Sequence, residues 1–128
     1  MLEEADLVAF VPCSDLEVSR LFYGEVLGLR LLETSEFANV YDVNGTQLRV
    51  TLVDRPAGAP YTVLGWRVSD IAVAVRALRA TGVAFKLYDG LTQDEHRIWT
   101  APGGSRIAWF ADPDGNIISL QQPCPFDC

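Results

Sequence analysis

The chain is short of the residues from which most metal and thiol chemistry is built. Its 128 residues include one histidine, His96, and three cysteines, with no Cys-x-x-Cys pair and no Cys/His cluster. So few histidines leave little material for a histidine-based metal centre. The odd cysteine count favours reduced thiols in a reducing compartment over a disulfide framework. We therefore expect a cytoplasmic protein.

Two further absences narrow the class of partner. No apolar run approaches the roughly 20 residues of a membrane-spanning helix, and the first residues, MLEEAD, are acidic where a targeting peptide is basic. Basic residues number 10 against 17 acidic ones, which gives a net charge of −7. A field of that sign repels phosphate backbones, so we expect neither a membrane nor a nucleic acid as partner.

What the sequence does contain is a repeat. The stretch 8–16 (VAFVPCSDL) returns as 63–71 (VLGWRVSDI), and each copy predicts a strand followed by a helix that stops at a glycine. Asp15 and Asp70 are the expected helix caps, because an aspartate accepts hydrogen bonds from free amides of the first turn. Such a repeat indicates two copies of one supersecondary unit, with a groove between them where a ligand would bind.

The remaining periodic segments predict strands. An Asn-Gly pair at 44–45 predicts a hairpin, and the DPDG sequence at 112–115 predicts a second turn. The expected strands, besides one at the start of each copy, lie at ~29–34, ~37–43, ~48–52, ~83–88, ~95–100, ~106–111 and ~116–121. Each half is interpreted as β-α-β-β-β. The chain is then a single domain over 1–128, with module 1 at about 5–54, a Pro/Gly-rich linker at about 55–60, module 2 at about 61–122 and a tail at 123–128.

This combination resembles a known family. The two βαβββ halves, the Ser-Asp helix starts, the Leu-Gly-Leu at 27–29 after Phe22 and Tyr23, and the DPDGN turn at 112–116 are similar to the vicinal oxygen chelate superfamily. That group contains glyoxalase I, extradiol dioxygenases, fosfomycin-resistance enzymes and bleomycin-resistance proteins. The resemblance covers essentially the whole chain. It implies an α+β fold in which two tandem βαβββ modules with curved mixed sheets form an open barrel-like cleft, usually in a homodimer.

The resemblance also implies where a metal would sit. Catalytic relatives hold a divalent ion on donors from the first and last strand of each module, which here correspond to Val8, Arg49, Val63 and Ser119, or to Thr51 in place of Arg49 if the register slips by two. Valine has no lone pair, a guanidinium repels cations, and a serine alone is a poor ligand for a divalent ion. We expect no metal and no other cofactor.

Strand parity predicts the lining of the cleft. The lining combines apolar and aromatic surface with a few polar groups, as small-molecule pockets do. Arg49 either offers its fork of donors to a ligand carboxylate, phosphate or enolate, or pairs with a local acid or solvent; Arg67 has the same alternatives. The predicted ligand-binding residues are Val8, Phe10, Arg49, Thr51, Val63, Arg67, Trp99, Ser119 and Gln121.

The segment 93–99 (QDEHRIW) supplies the candidates for catalysis, namely His96, Asp94 and Glu95. If it is a strand, His96 and Asp94 share a face, with His96 as a base and Asp94 as the carboxylate that orients it. Glu95 then points to the opposite face. The alternative is an exposed hairpin with a solvated histidine. Among the tryptophans, Trp66 is expected to pack against a helix and Trp109 to be buried, and Trp99 suits a ligand as well as the core.

Two functions follow from these features. The first is a metal-free protein that sequesters a small, partly planar organic molecule, as the bleomycin-resistance branch does. The second is a glyoxalase-like lyase, isomerase or dioxygenase with an atypical active site, built on a displaced metal at 94–96 or on Arg49 with a general base. A third alternative is a vestigial cleft in a dimerising protein. The vacant metal positions favour the first.

Overall fold

The computed structural model describes residues 1–124, and the chain divides into two compact units, Met1–Gly58 and Ala59–Cys128. Unit 1 contains a 3-10 turn at Leu2–Glu4, strand β1 at Val8–Cys13, helix α1 at Leu16–Arg20 with a π-helical continuation at Leu21–Val26, and strands β2 at Arg30–Thr34, β3 at Ala38–Val43 and β4 at Thr46–Leu52. Unit 2 contains β5 at Thr62–Arg67, α2 at Ile71–Ala80, β6 at Trp99–Thr100, β7 at Arg106–Ala111 and β8 at Ile117–Gln122.

Each unit is built on one four-stranded mixed sheet. The strand order is β1-β4-β3-β2 in unit 1 and β5-β8-β7-β6 in unit 2. In each, the first and last strands of the unit run parallel, and the other neighbours are antiparallel. The two sheets therefore have the same topology, and the α+β interpretation with a repeated βαβββ unit is confirmed.

The helices begin at the residues that the repeat predicts. The Asp15 carboxylate accepts hydrogen bonds from the backbone amides of Glu17 and Val18, both at 3.0 Å. Asp70 accepts from the amide of Val73 at 3.1 Å. Because the first amides of a helix have no intrahelical acceptor, these two aspartates set where each helix starts.

Both predicted turns are present. Asn44 and Gly45 have φ values of 50° and 93°, as a two-residue hairpin that follows the twist of its strands requires. At the second turn, the buried Asp112 carboxylate accepts from the amides of Asp114 and Asn116 and from the Asn116 side chain, at 2.9, 2.9 and 2.7 Å. These turns fix the register of β4 against β3 and of β8 against β7.

Unit 2 departs from the prediction between α2 and β7, where two strands are expected at ~83–88 and ~95–100. The structure has the two-residue strand β6 and a single bridge between Phe85 and Phe110 instead. The bridge and β6 both pair with β7, so together they occupy the one sheet position that β2 holds in unit 1.

The prediction of two strands is wrong because the chain leaves the sheet and comes back. The amide of Lys86 still bonds to the carbonyl of Trp109 at 2.8 Å, and pairing resumes where Trp99 lies opposite Ile107. Residues 87–98 between them form a loop whose local apolar alternation imitates a strand. This loop carries part of the candidate site.

Each sheet buries one face against its own helix. In unit 1 the Asn39 side chain donates to the carbonyl of Leu16 at 2.9 Å, so the face of β3 and β4 that contains Asn39 and its partner Val50 lies under the helix. In unit 2 the amide of Ile71 donates to the Gln122 side chain at 2.9 Å, which places alternate residues of β8 under α2. The buried residues of these faces include Val11, Cys13, Tyr41, Leu48, Val50, Ala108, Phe110, Ile118 and Leu120. We call the opposite side of each sheet its helix-free face.

Cysteine chemistry differs from the expectation. Cys13 is a buried thiol, whereas Cys124 is disulfide-bonded, so the expectation of reduced thiols does not hold for Cys124. An odd cysteine count excludes a complete set of pairs, but it does not exclude one pair. The last four residues of the predicted tail, 125–128 with Cys128 among them, lie outside the described range. Over residues 1–124, no helix is long and apolar enough to cross a membrane.

The core of unit 1 contains a tyrosine hydroxyl whose burial is unfavourable for folding. Tyr41 is 0% exposed and lies beside Tyr23, with a ring-centroid distance of 6.2 Å. Its hydroxyl has no hydrogen-bond partner among the described residues. Burial raises the pKa of Tyr41, because the phenolate loses its hydration.

Replacing Tyr41 with phenylalanine should therefore stabilise the protein. We expect Tyr41→Phe to raise the free energy of unfolding by about 1 kcal/mol at pH 7, since a desolvated hydroxyl without a partner is removed. Because the folded-state pKa is raised, the wild type is stable below the unfolded-state value of about 10 and loses stability as pH rises through the folded-state value. The Tyr41→Phe variant has no ionisable group at this position, so it should not lose stability from this cause as the pH rises.

Urea unfolding of both proteins at pH 7 and at pH 11 measures these differences. The control is Tyr61→Phe, which removes a hydroxyl from a side chain that is 66% exposed and should change neither value. A Tyr41→Phe variant that is less stable than the wild type at pH 7 would show that the hydroxyl has a stabilising partner.

Candidate functional site

The helix-free face of unit 1 carries the residues predicted there. Phe10 lies beside Arg49 across the parallel β1–β4 ladder, and Arg49 lies beside Val40 on the other side. Val8 and Thr51 share this face, because they are two residues from Phe10 and Arg49 along their strands. Phe10 is 64% exposed and Val8 38% exposed. The face is thus an apolar surface around one arginine.

Arg49 keeps its donors available on this surface. Its side chain is half-buried and makes no hydrogen bond or ion pair within the described part of the chain. Its neighbours in the ladder, Phe10 and Val40, offer no acceptor side chain. The Thr51 hydroxyl is buried and also lacks a partner among residues 1–124. An anionic oxygen placed here would meet a guanidinium that no local acid neutralises.

The helix-free face of unit 2 can be described as two rows of cross-strand neighbours. The first row contains Arg67, Gln121, Ile107 and Trp99 in order across four strands. The second row contains Gly65, Ser119 and Trp109 across three. Residues opposite each other in adjacent strands lie on the same face of a sheet. Val63 is 40% exposed and lies at a shift in the β5–β8 register, between Thr62 and Leu64, so strand parity does not assign it to a face. The other predicted unit 2 residues lie together on this face.

Small residues occupy the two strand positions beside Trp109 in the second row, Ser119 on β8 and Gly65 on the edge strand β5. A Cβ at Gly65 would lie 2.8 Å from the Ser119 hydroxyl oxygen, so the serine side chain leans over the glycine. We call this stretch of small residues, which spans two strand spacings or roughly 10 Å from the Cα atom of Trp109 to that of Gly65, the trough. A flat molecule could lie in the trough against the tryptophan.

Three aromatic rings stand at one side of the trough. Trp99 and Trp109 are stacked with a centroid distance of 6.2 Å and an interplanar angle of 30°. Tyr88 meets Trp109 edge to face at 5.2 Å and 87°. All three are half-buried, so each ring retains exposed surface. We call Tyr88, Trp99 and Trp109 the aromatic platform.

For two residues of the platform, Trp109 and Tyr88, the structure differs from the sequence-based prediction. The prediction that Trp109 is buried in the core is wrong: Ala108 and Phe110 are fully buried, and Trp109, between them, projects to the other face. Strand alternation along residues 106–111 (RIAWFA) already indicates that Trp109 faces away from Ala108 and Phe110. Tyr88 was missed because it lies in the loop 87–98, where strand parity does not apply. Trp66, opposite Leu120, faces α2 as expected.

A single glutamine holds the loop that presents Tyr88. The Gln93 side-chain oxygen accepts from the amide of Tyr88 at 2.7 Å, and its nitrogen donates to the carbonyls of Lys86 and Arg97 at 2.9 and 2.8 Å. These three bonds connect both ends of the loop. They replace the ladder hydrogen bonds that the segment loses when it leaves the sheet.

The candidate catalytic residues do not form the arrangement that strand parity predicts. Residues 94–97 form a turn, in which the Asp94 carboxylate accepts from the backbone amides of His96 and Ile98 at 2.8 and 2.9 Å. His96 Nε2 is instead 3.7 Å from Glu95 Oε1, the contact that parity excludes, and His96 Nδ1 is buried without a partner among the described residues. A turn has no two-residue alternation, so the parity argument fails here.

The chain is recognised by one family model. The model of the glyoxalase/bleomycin resistance protein/dioxygenase superfamily matches residues 6–120. The chain belongs to this superfamily. A search of the curated proteins finds no match.

Solved structures agree with the assignment. TnmS3, an antibiotic-binding protein from Streptomyces sp. CB03234, is 30% identical, with a TM-score of 0.69 over 96% of this chain and 98% of that one. A superfamily member from Sphaerobacter thermophilus DSM 20745 is 26% identical, with a TM-score of 0.75 over 96% and 100%. A lactoylglutathione lyase from Agrobacterium tumefaciens, at 16% identity and a TM-score of 0.72 over 93% of each chain, shares the fold.

The superfamily's metal does not fit the residues of this chain. The corresponding positions carry two valines, the Arg49 guanidinium and the Ser119 hydroxyl, a set with one neutral oxygen donor. Elsewhere in residues 1–124, no three His, Cys, Asp or Glu side chains are grouped so that they could hold an ion. The side chains of the two helix-free faces are suited to stacking and to hydrogen bonding, not to Lewis-acid chemistry.

Loss of Gln93 should disturb the aromatic platform without unfolding the sheet. In Gln93→Ala, three backbone groups lose their partners, and we expect a loss of about 1–3 kcal/mol in local stability. Hydrogen exchange at the Tyr88 amide should accelerate, and tryptophan fluorescence should change as Tyr88 leaves Trp109. Thr92→Ala, at an exposed neighbouring position, is the matched control. Unchanged exchange at Tyr88 in Gln93→Ala would contradict this role.

Proposed function

We propose that this protein is a metal-free binding protein that sequesters a small, planar organic molecule and releases it unchanged. The ligand would lie on the helix-free face of unit 2, against the aromatic platform. The aromatic platform beside the trough of Gly65 and Ser119 is the observation that carries the proposal. Stacked aromatic contacts each contribute about 0.5–1.5 kcal/mol beyond the area they bury.

The two arginines indicate the second feature of the ligand. Arg67 lies in the same row as Trp99, with Gln121 and Ile107 between them, and makes no ion pair within the described residues. Arg49, on the helix-free face of unit 1, also has no ion-pair partner in the described part of the chain. A planar molecule with an acidic oxygen, such as a carboxylate or a phenolate, would satisfy a guanidinium and the platform together.

One relative supports binding as the function. TnmS3 is an antibiotic-binding protein that matches this chain at 30% identity over nearly its whole length. By analogy, the ligand of this chain is a small organic molecule of similar character. The proposal includes a cytoplasmic homodimer, in which a second copy would cover exposed apolar side chains such as Phe10, at 64% exposure.

Titration with 2-naphthoate and with its uncharged isostere 2-naphthamide tests the proposal. We expect both to bind and to quench tryptophan fluorescence, with the carboxylate the tighter ligand. Trp99→Leu should weaken both by roughly 5- to 20-fold, because it removes a stacking surface. Arg67→Gln should weaken 2-naphthoate alone, by about 5- to 10-fold.

Matched controls separate these effects from general ones. Phe37→Leu removes an exposed aromatic ring of unit 1, and Arg76→Gln removes an exposed charge of α2 that has no ion-pair partner among residues 1–124. Neither should change binding of either naphthalene compound. Equal affinities of wild type and Trp99→Leu for both compounds would refute the platform as the binding surface.

A further inference from the structure

A hollow that shares Tyr88 and Trp109 with the aromatic platform opens in unit 2 where β5 begins. Its volume is about 390 Å³, and its lining includes Tyr61, Tyr88, Asp89, Leu91, Trp109 and Ile117. Tyr88 and Trp109 meet there at right angles, with a centroid distance of 5.2 Å. The hollow is large enough for a group of several carbon atoms.

The chemistry of this lining is unusual for a site that binds only apolar groups. Three of its side chains are aromatic, and the single charged one is a carboxylate, Asp89. Asp89 is exposed and makes no hydrogen bond or ion pair within residues 1–124. Lysine and arginine are absent from the described lining. Electron-rich ring faces beside an unpaired anion form a negative environment with apolar walls.

We propose that this hollow binds an organic ammonium group, such as a quaternary or tertiary amine. The faces of aromatic rings attract a cation within about 6 Å of the centroid, and rings set at right angles contact it from two directions. Asp89 supplies the opposite charge at the rim. The net charge of −7 adds a long-range attraction for cations.

Other occupants match the lining less well. A divalent metal ion needs several oxygen or nitrogen donors, and the hollow offers one carboxylate. An anionic group placed in the hollow would be repelled by Asp89. A neutral apolar group would be accepted by Leu91 and Ile117 but would gain nothing from Asp89. A soft, weakly hydrated cation uses every part of the lining.

The ammonium site is distinct from the anion-binding end of the same face. Ile117 lies at the hollow, whereas Gln121 lies beside Arg67, four residues further along β8. At about 3.3 Å per residue, the two ends are roughly 13 Å apart. The proposal therefore does not depend on the proposed function, although Tyr88 and Trp109 belong to both regions.

Choline and 3,3-dimethylbutan-1-ol are matched probes, because the second replaces the ammonium nitrogen with carbon and keeps the shape. Calorimetric titration at low salt should show choline binding at least fivefold tighter than the neutral analogue. Asp89→Asn should weaken choline by roughly three- to tenfold, and Tyr61→Leu by about two- to fivefold. Asp6→Asn, the same charge change at an exposed position of unit 1, should have no effect.

The outcomes decide the proposal in either direction. Equal binding of choline and its neutral analogue, or no choline binding at all, would overturn it, as would full affinity in both Asp89→Asn and Tyr61→Leu. These two variants are at exposed positions, so a failure to fold is not expected to obscure the result. A protein that binds choline but not 2-naphthoate would keep this proposal and refute the planar-acid ligand, and the reverse result would do the opposite.

Discussion

The burial of one face of each sheet beneath its own helix is the constraint on which the candidate site depends. Leu48 and Val50 are fully buried, so Arg49 between them must project to the opposite face. Ile118 and Leu120 are also buried, so Ser119 between them projects to the opposite face of its sheet. Because side chains alternate with a period of two, a slip of one residue would bury a guanidinium and expose the core. The register of both sheets is thus tied to the position of the polar groups.

The side chains that this constraint places on the helix-free faces differ in chemistry from those of the metal-dependent relatives. Strand positions that would hold a donor set carry Val8 and Val63, whose side chains cannot ligate, so these positions contribute apolar surface instead. The glyoxalase-like enzyme alternative would need another device to stabilise an oxyanion. Residues 94–96 do not supply such a device, because the Asp94 carboxylate already accepts hydrogen bonds from the backbone amides of a turn. Stacking and hydrogen bonding are the interactions that these faces offer.

How much could be predicted from the sequence depends on whether local rules apply. The aspartate caps, the Asn-Gly hairpin and the buried Asp112 turn are local interactions, and each was correctly predicted together with the βαβββ repeat. The loop 87–98 was not, because it is held by Gln93, whose three backbone partners have no signature in the sequence. The loop therefore looked like a pair of strands, and both the Asp94–His96 geometry and Tyr88 were misjudged or missed.

The central claim, recognition without a metal and without turnover, is tested most directly by the fate of a bound ligand. Chelator-treated protein and protein dialysed against Zn, Ni, Mn and Fe(II) would be compared for metal content, for affinity and for chemical recovery of 2-naphthoate. The account predicts only trace metal, equal affinity in the two preparations and complete recovery of the unchanged ligand. About one tightly held ion per chain, with metal-dependent affinity or a converted ligand, would contradict it.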